Sequence, residues 1–98
     1  MKQVAYMYGV TEYCGLNSAE VHDGYRRQMR ELTRRGGLPE STVRWLRIRG
    51  TIAADLEYGD RGLGGFRGWC RTEGIDAARH FLAFRAAQLA AERDRSAP

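Results

Sequence analysis

Apolar residues recur along this chain with two different periods. Residues 3–10, QVAYMYGV, alternate: Val4, Tyr6, Tyr8 and Val10 fall on one side, Ala5 and Met7 on the other. Period two in β-branched and aromatic residues predicts a strand, so residues 1–16 read as a strand and turn. A lone strand leaves its ladder groups unpaired and needs a partner in this chain, a second copy or another protein. A short helical turn is the alternative. Residues 17–36 change to the helical period, with Val21, Tyr25, Gln28, Met29 and Leu32 on one face. Asn17 with Glu20 gives a start resembling a capping box, and Gly36-Gly37 gives the stop. On the polar side Asp23, Arg27, Glu31 and Arg35 form an i, i+4 ladder. Each such pair is worth only ~0.2–0.5 kcal/mol, and the ladder reads as a solvated face. Arg26, Arg30 and Arg34 form a second row, either a plain outer face or a stripe turned toward phosphates.

Residues 40–58 fit both periods. A helix stacks Trp45, Ile48, Ile52 and Leu56, whereas strands alternate Ile52, Ala54, Leu56 and Tyr58 around an Arg49-Gly50 turn. That dipeptide is a poor type I′ turn. Pro39 near a first turn, with Ser41 or Thr42 as cap, predicts a helix in which Gly50 costs ~1 kcal/mol relative to Ala. Residues 59–74 contain six glycines and predict a loop pinned by Leu63, Phe66 and Trp69. Residues 75–94 predict a last helix with Ile75, Ala78, Leu82, Ala86 and Leu89 in one stripe, broadened by Phe81 and Phe84, before a frayed tail at 95–98. The expected fold is one domain over residues 1–98, mainly α, with three to four helices and a short N-terminal strand. The alternative is α+β in the order β-α-β-β-α.

Composition narrows the class. The 98 residues are 43% hydrophobic and 29% charged, as in an ordinary soluble domain. No apolar run approaches the ~20 residues of a membrane span, and the N-terminus lacks the apolar core of a signal peptide. A cytoplasmic location is expected. Net charge is +4, and of sixteen basic residues only Lys2 is a lysine. Arginine suits planar contacts to phosphate, guanine or carboxylate. Cys14 and Cys70 form no CxxC and read as separate small buried hydrophobes.

The stretch RELTRRGGLPESTVRWLRIRG, residues 30–50, resembles over roughly residues 30–49 the helix-turn-helix of bacterial and phage DNA-binding regulators. Leu32, Thr33, Gly37 and Leu38 match the apolar, small, turn-glycine and following apolar positions, and Val43 and Leu46 match inward positions of a second helix. Gly36 departs from the pattern, as do Trp45 and Ile48 on the side that faces DNA. The resemblance implies a transcriptional regulator that binds double-stranded DNA as a homodimer. Ser41, Arg44 and Arg47 would lie near the groove, with Arg26, Arg30 and Arg34 on the backbone.

His22 and His80 have no local nucleophile partner or metal-ligand spacing, so no enzyme, cofactor, metal site or small-molecule substrate is expected. The second functional reading is a small interaction protein, of the kind phages and mobile elements encode, that inhibits or adapts a larger protein or nucleoprotein complex. Its contacts would be Trp45, Ile48 and Ile52, with Tyr6 and Tyr8 of the N-terminal segment.

Overall fold

The computed structural model describes residues 1–97, the side chains of residues 62–64 excepted. Helix α1 spans Lys2–Tyr13, α2 Ala19–Gly36, α3 Glu40–Trp69 and α4 Ile75–Ser96. A single π-helical turn, Cys70–Gly74, carries α3 into α4. Among the described residues there is no strand, which corrects both the predicted N-terminal strand and the α+β alternative. No helix among them is long and apolar enough to cross a membrane.

The alternation over residues 3–10 belongs to a helix. In α1 the buried positions are Val4, Ala5, Gly9, Val10 and Thr11, which form a helical face. A helix pairs its own backbone groups, and among the described residues no strand is present to complete a ladder. The Thr11 hydroxyl donates to the Tyr8 carbonyl at 2.6 Å. Gly15, at φ +68, then turns the chain while Leu16 N–H donates to the Thr11 carbonyl at 2.8 Å.

Helix α2 begins one residue later than the capping-box pattern implies. Ser18 is the cap, its Oγ accepting from Val21 N–H at 3.2 Å. The stop is where the glycine pair puts it: Gly37 is left-handed at φ 58, and its N–H donates to the Thr33 carbonyl at 3.1 Å. Val21, Tyr25 and Met29 are buried, as their shared face predicts. The acid–base ladder does more than meet solvent. Arg27 bridges Asp23 at 2.8 Å and Glu92 of α4 at 3.0 Å, and Arg85 of α4 reaches Asp23 at 2.9 Å. These pairs tie α2 to α4. The two guanidiniums hydrogen-bonded to Asp23, that of Arg27 above all, hold its carboxyl below the usual carboxylate range.

Helix α3 runs for thirty residues, past the predicted end at 58 and through the glycine-rich stretch expected to be a loop. It starts at Glu40 with Pro39 as cap, so Ser41 and Thr42 lie in its first turn and do not cap it. Tertiary contacts override the glycines. Trp69 is fully buried, within 6.1 Å of the Tyr13 ring and 6.5 Å of the Tyr58 ring, with the Arg61 guanidinium 5.7 Å from its own ring. Phe66 meets Tyr58 edge-on at 5.3 Å. Trp69 thus anchors the segment as predicted, but as helix; the Leu63 side chain lies outside the described residues.

A disulfide joins Cys14 to Cys70 with Cα atoms 5.3 Å apart, correcting the reading of two separate thiols. It ties the end of α1 to the π-turn. Gly74 makes room for it: a Cβ there would stand 2.9 Å from Cys14 Sγ.

The helices pair by small residues. Gly50 and Ala54 of α3 face Ala5 and Gly9 of α1, four residues apart on each helix. A Cβ on Gly50 would come within 2.6 Å of the Lys2 carbonyl, and one on Gly9 within 2.7 Å of Ala54 Cβ. Gly50, costly to an isolated helix, is what lets these two rods touch. Gly24 does the same for α2 on α4, since a Cβ there would meet the Phe81 carbonyl oxygen at 2.1 Å. In α4 the buried positions are Ala77 and Phe81, while Leu82 is exposed and Ala86 faces solvent, so the true stripe is rotated from the predicted one. Helix α4 also holds the tail as far as Ser96, which was expected to fray. The core of Val4, Val21, Tyr25, Met29 and Phe81 lies among α1, α2 and α4, with Val43 packed at its edge. The result is a flat assembly of 54 × 29 × 16 Å in which α3 packs mainly on α1, and α2 mainly on α4.

Candidate interaction surface

Fixing Gly50 and Ala54 against α1 determines what α3 shows to solvent. At 100° per residue, the side opposite that seam carries Trp45, Ile52 and Leu56, with Ile48 beside them. All four are exposed: Trp45 58%, Ile48 44%, Ile52 48% and Leu56 65%. Ile48 and Ile52 also border the groove that α3 forms with α1 and α2, so that side of the stripe is only partly open. The helical stripe read from the sequence therefore exists, and its residues lie on the surface of the single chain.

The other residues predicted for partner binding sit differently. Tyr8 stacks on Tyr25 with centroids 4.2 Å apart, and its hydroxyl bonds His22 Nδ1 at 2.8 Å. Tyr6 is half-buried, and burial pushes its hydroxyl pKa up. With the strand replaced by a helix, both rings are drawn toward the interior and form no aromatic sheet edge.

The residues predicted to bind DNA spread over two helices. Ser41, Arg44 and Arg47 are exposed in the first two turns of α3, and Arg26, Arg30 and Arg34 are exposed on α2. Arg34 is held by both oxygens of Glu31 at 2.8 Å. Arg44 lies 3.4 Å from Glu40. Arg26, Arg30 and Arg47 have no acidic partner among the described residues. Arg44 and Arg47 border a groove of about 530 Å³ between α1, α2 and α3, with Tyr8, Glu12, His22 and Tyr25 on its other walls. Gly37 turns the chain between α2 and α3, and Val43 packs against the core. The close packing of α3, however, is with α1. The outermost side of α3 presents apolar side chains where polar ones would read bases.

His80 Nε2 bonds Gln28 Oε1 at 2.7 Å, and His22 is engaged by Tyr8, so both imidazoles hold helices together. The apolar periodicity points to neither the small-residue seam nor the disulfide. The Ala5/Gly9 and Gly50/Ala54 spacing was a usable signal for the seam; nothing in the sequence paired the cysteines beyond their number. No family model, curated protein or solved structure matches the chain.

Proposed function

We propose that this chain is a small, non-enzymatic interaction protein that works by docking the outer face of α3 onto another polypeptide. The observation that supports this best is the exposed stripe of Trp45, Ile48, Ile52 and Leu56 on a rigid helix whose opposite side is fixed by a glycine seam. Contiguous apolar patches on soluble proteins mark interaction sites, and tryptophan is prominent among residues that dominate interface energies. The fold places this face on a long rod clamped by α1 and the Cys14–Cys70 bridge, so little order has to be gained on binding. A cytoplasmic setting would keep that bridge reduced, and the redox state of the pair in cells tests the location.

The test is Trp45→Ala. Association, followed by analytical ultracentrifugation of the chain alone and with proteins that co-purify with it, should be lost. The melting temperature should stay within about 3 °C, because an exposed residue contributes little to stability. Melting of the domain by this substitution would place the stripe in the core and overturn the reading.

The uncompensated Arg26, Arg30 and Arg47 favour a second reading, a DNA-binding regulator. It requires duplex binding that weakens with salt, with a log–log slope near −0.9 per phosphate contact. Absence of duplex binding at ~50 mM salt, where such contacts are strong, would remove it.

A further inference from the structure

We infer that the outer face of α3 seats a second copy of this chain, antiparallel to the first, with the two helices crossing near Ile52. This rests on the reading of that face as a docking surface and names its occupant. The charges along α3 carry the argument. Between residues 44 and 60 the first stretch holds Arg44, Arg47 and Arg49 and the second Asp55, Glu57 and Asp60; Glu40, Arg61 and Arg67 lie outside that span, Arg61 being paired with Glu57 and Glu73. The six within the span are mirrored in sign about Ile52: Arg49 and Asp55 stand three residues either side of it, Arg47 and Glu57 five, Arg44 and Asp60 eight. A parallel pair of α3 helices would lay arginine over arginine and carboxylate over carboxylate. An antiparallel pair lays the basic end of each over the acidic end of the other, twice, by symmetry.

The single chain leaves these charges largely unspent. Arg49 and Asp60 have no ion-pair partner among the described residues, Arg44 has only the exposed Glu40 at 3.4 Å, and Asp55 accepts a hydrogen bond from the Tyr13 hydroxyl. Arg47 and Glu57 lie toward α1, Glu57 bound to Arg61 at 2.7 Å, so they set the sign of each end without entering the seam. The apolar positions are mirrored too. Ile48 comes opposite Leu56, Ile52 opposite its own counterpart, and Trp45 opposite Gly59, where a Cβ would meet nothing within 4 Å and an indole has room. From Trp45 to Leu56 the stripe is about 16 Å long at 1.5 Å per residue. A surface complementary to itself in both charge and shape fits a twofold contact.

Sedimentation equilibrium on the full chain tests this. The wild type should be dimeric at on the order of 100 µM. Ile52→Asp, at the twofold position, should weaken the dimer about a hundredfold with helical circular dichroism unchanged, since each dimer loses the contact twice. Two charge variants guard against misfolding as the cause: Arg44→Glu/Arg49→Glu and Asp55→Lys/Asp60→Lys. Each alone should be monomeric, and an equimolar mixture should form a heterodimer. A wild type that stays monomeric overturns the inference but leaves the docking face for another partner. A dimer indifferent to Ile52→Asp, or variants that do not recombine, places the contact elsewhere and overturns it as well.

Discussion

Breaking the Cys14–Cys70 bridge should remove a large share of this protein's stability. The bridge spans 56 positions of sequence. Holding two points that far apart together in the unfolded chain removes about 14 cal/mol/K of its entropy, or about 4 kcal/mol at 25 °C, on the chain-entropy account. Domains of this kind are stable by only about 5–15 kcal/mol in all. At roughly 4–8 °C per kcal/mol for a domain of this length, the melting temperature should fall by about 15–30 °C. The perturbation is Cys14→Ala/Cys70→Ala, with reduced wild type as a second arm. Alanine leaves no thiol to press on Gly74. Thermal unfolding followed by circular dichroism, with intact mass confirming the loss of two hydrogens in the oxidised chain, reads the outcome. A melting temperature that moves by less than about 3 °C on reduction would refute the reasoning, because the bridge would then not restrict the unfolded chain.

Glycine positions separate seam from surface. Gly24→Ala should destabilise by about 1–3 kcal/mol, its Cβ forced onto the Phe81 carbonyl, despite a helix-propensity gain of ~1 kcal/mol. Gly68→Ala, with nothing near its Cβ, should show that gain alone as a raised melting temperature. Acid should loosen the α2–α4 junction. Asp23 at that junction, and Glu31 paired with Arg34 and Arg35 inside α2, have carboxyl pKa values depressed by their arginines, so the stability they contribute is present above the ordinary carboxylate range and is lost as pH falls through their lower folded values. Urea midpoints from pH 6 to 2 should therefore decline below about pH 4, and Asp23→Asn should flatten part of that decline.

Residues 17–36 show how much was legible. Apolar period, glycine stop and buried face all agreed in the sequence, and α2 followed with only its cap displaced from Asn17 to Ser18. The stripe of α3 was legible for the same reason, since side chains at i, i+3 and i+4 share a side of any helix whatever surrounds it. Whether that side was core or surface was not legible, because Trp45 and Ile52 suit either. Residues 3–10 misled because eight residues of alternating Val and Tyr satisfy a short strand and a half-buried helix equally well.

Local pattern alone was enough to make α2 and α4 helices, to stop the first of them, and to line up the residues of α3. These follow from period, propensity and the left-handed φ that Gly37 supplies. The helicity of residues 59–74, the meeting of Cys14 with Cys70, and the outward turn of Trp45, Ile48, Ile52 and Leu56 arise from how the helices pack. Those depend on which surfaces approach closely enough to touch. That approach is set by the absent Cβ atoms of Gly9, Gly24 and Gly50, whose partners lie on other helices, beyond the reach of any local pattern.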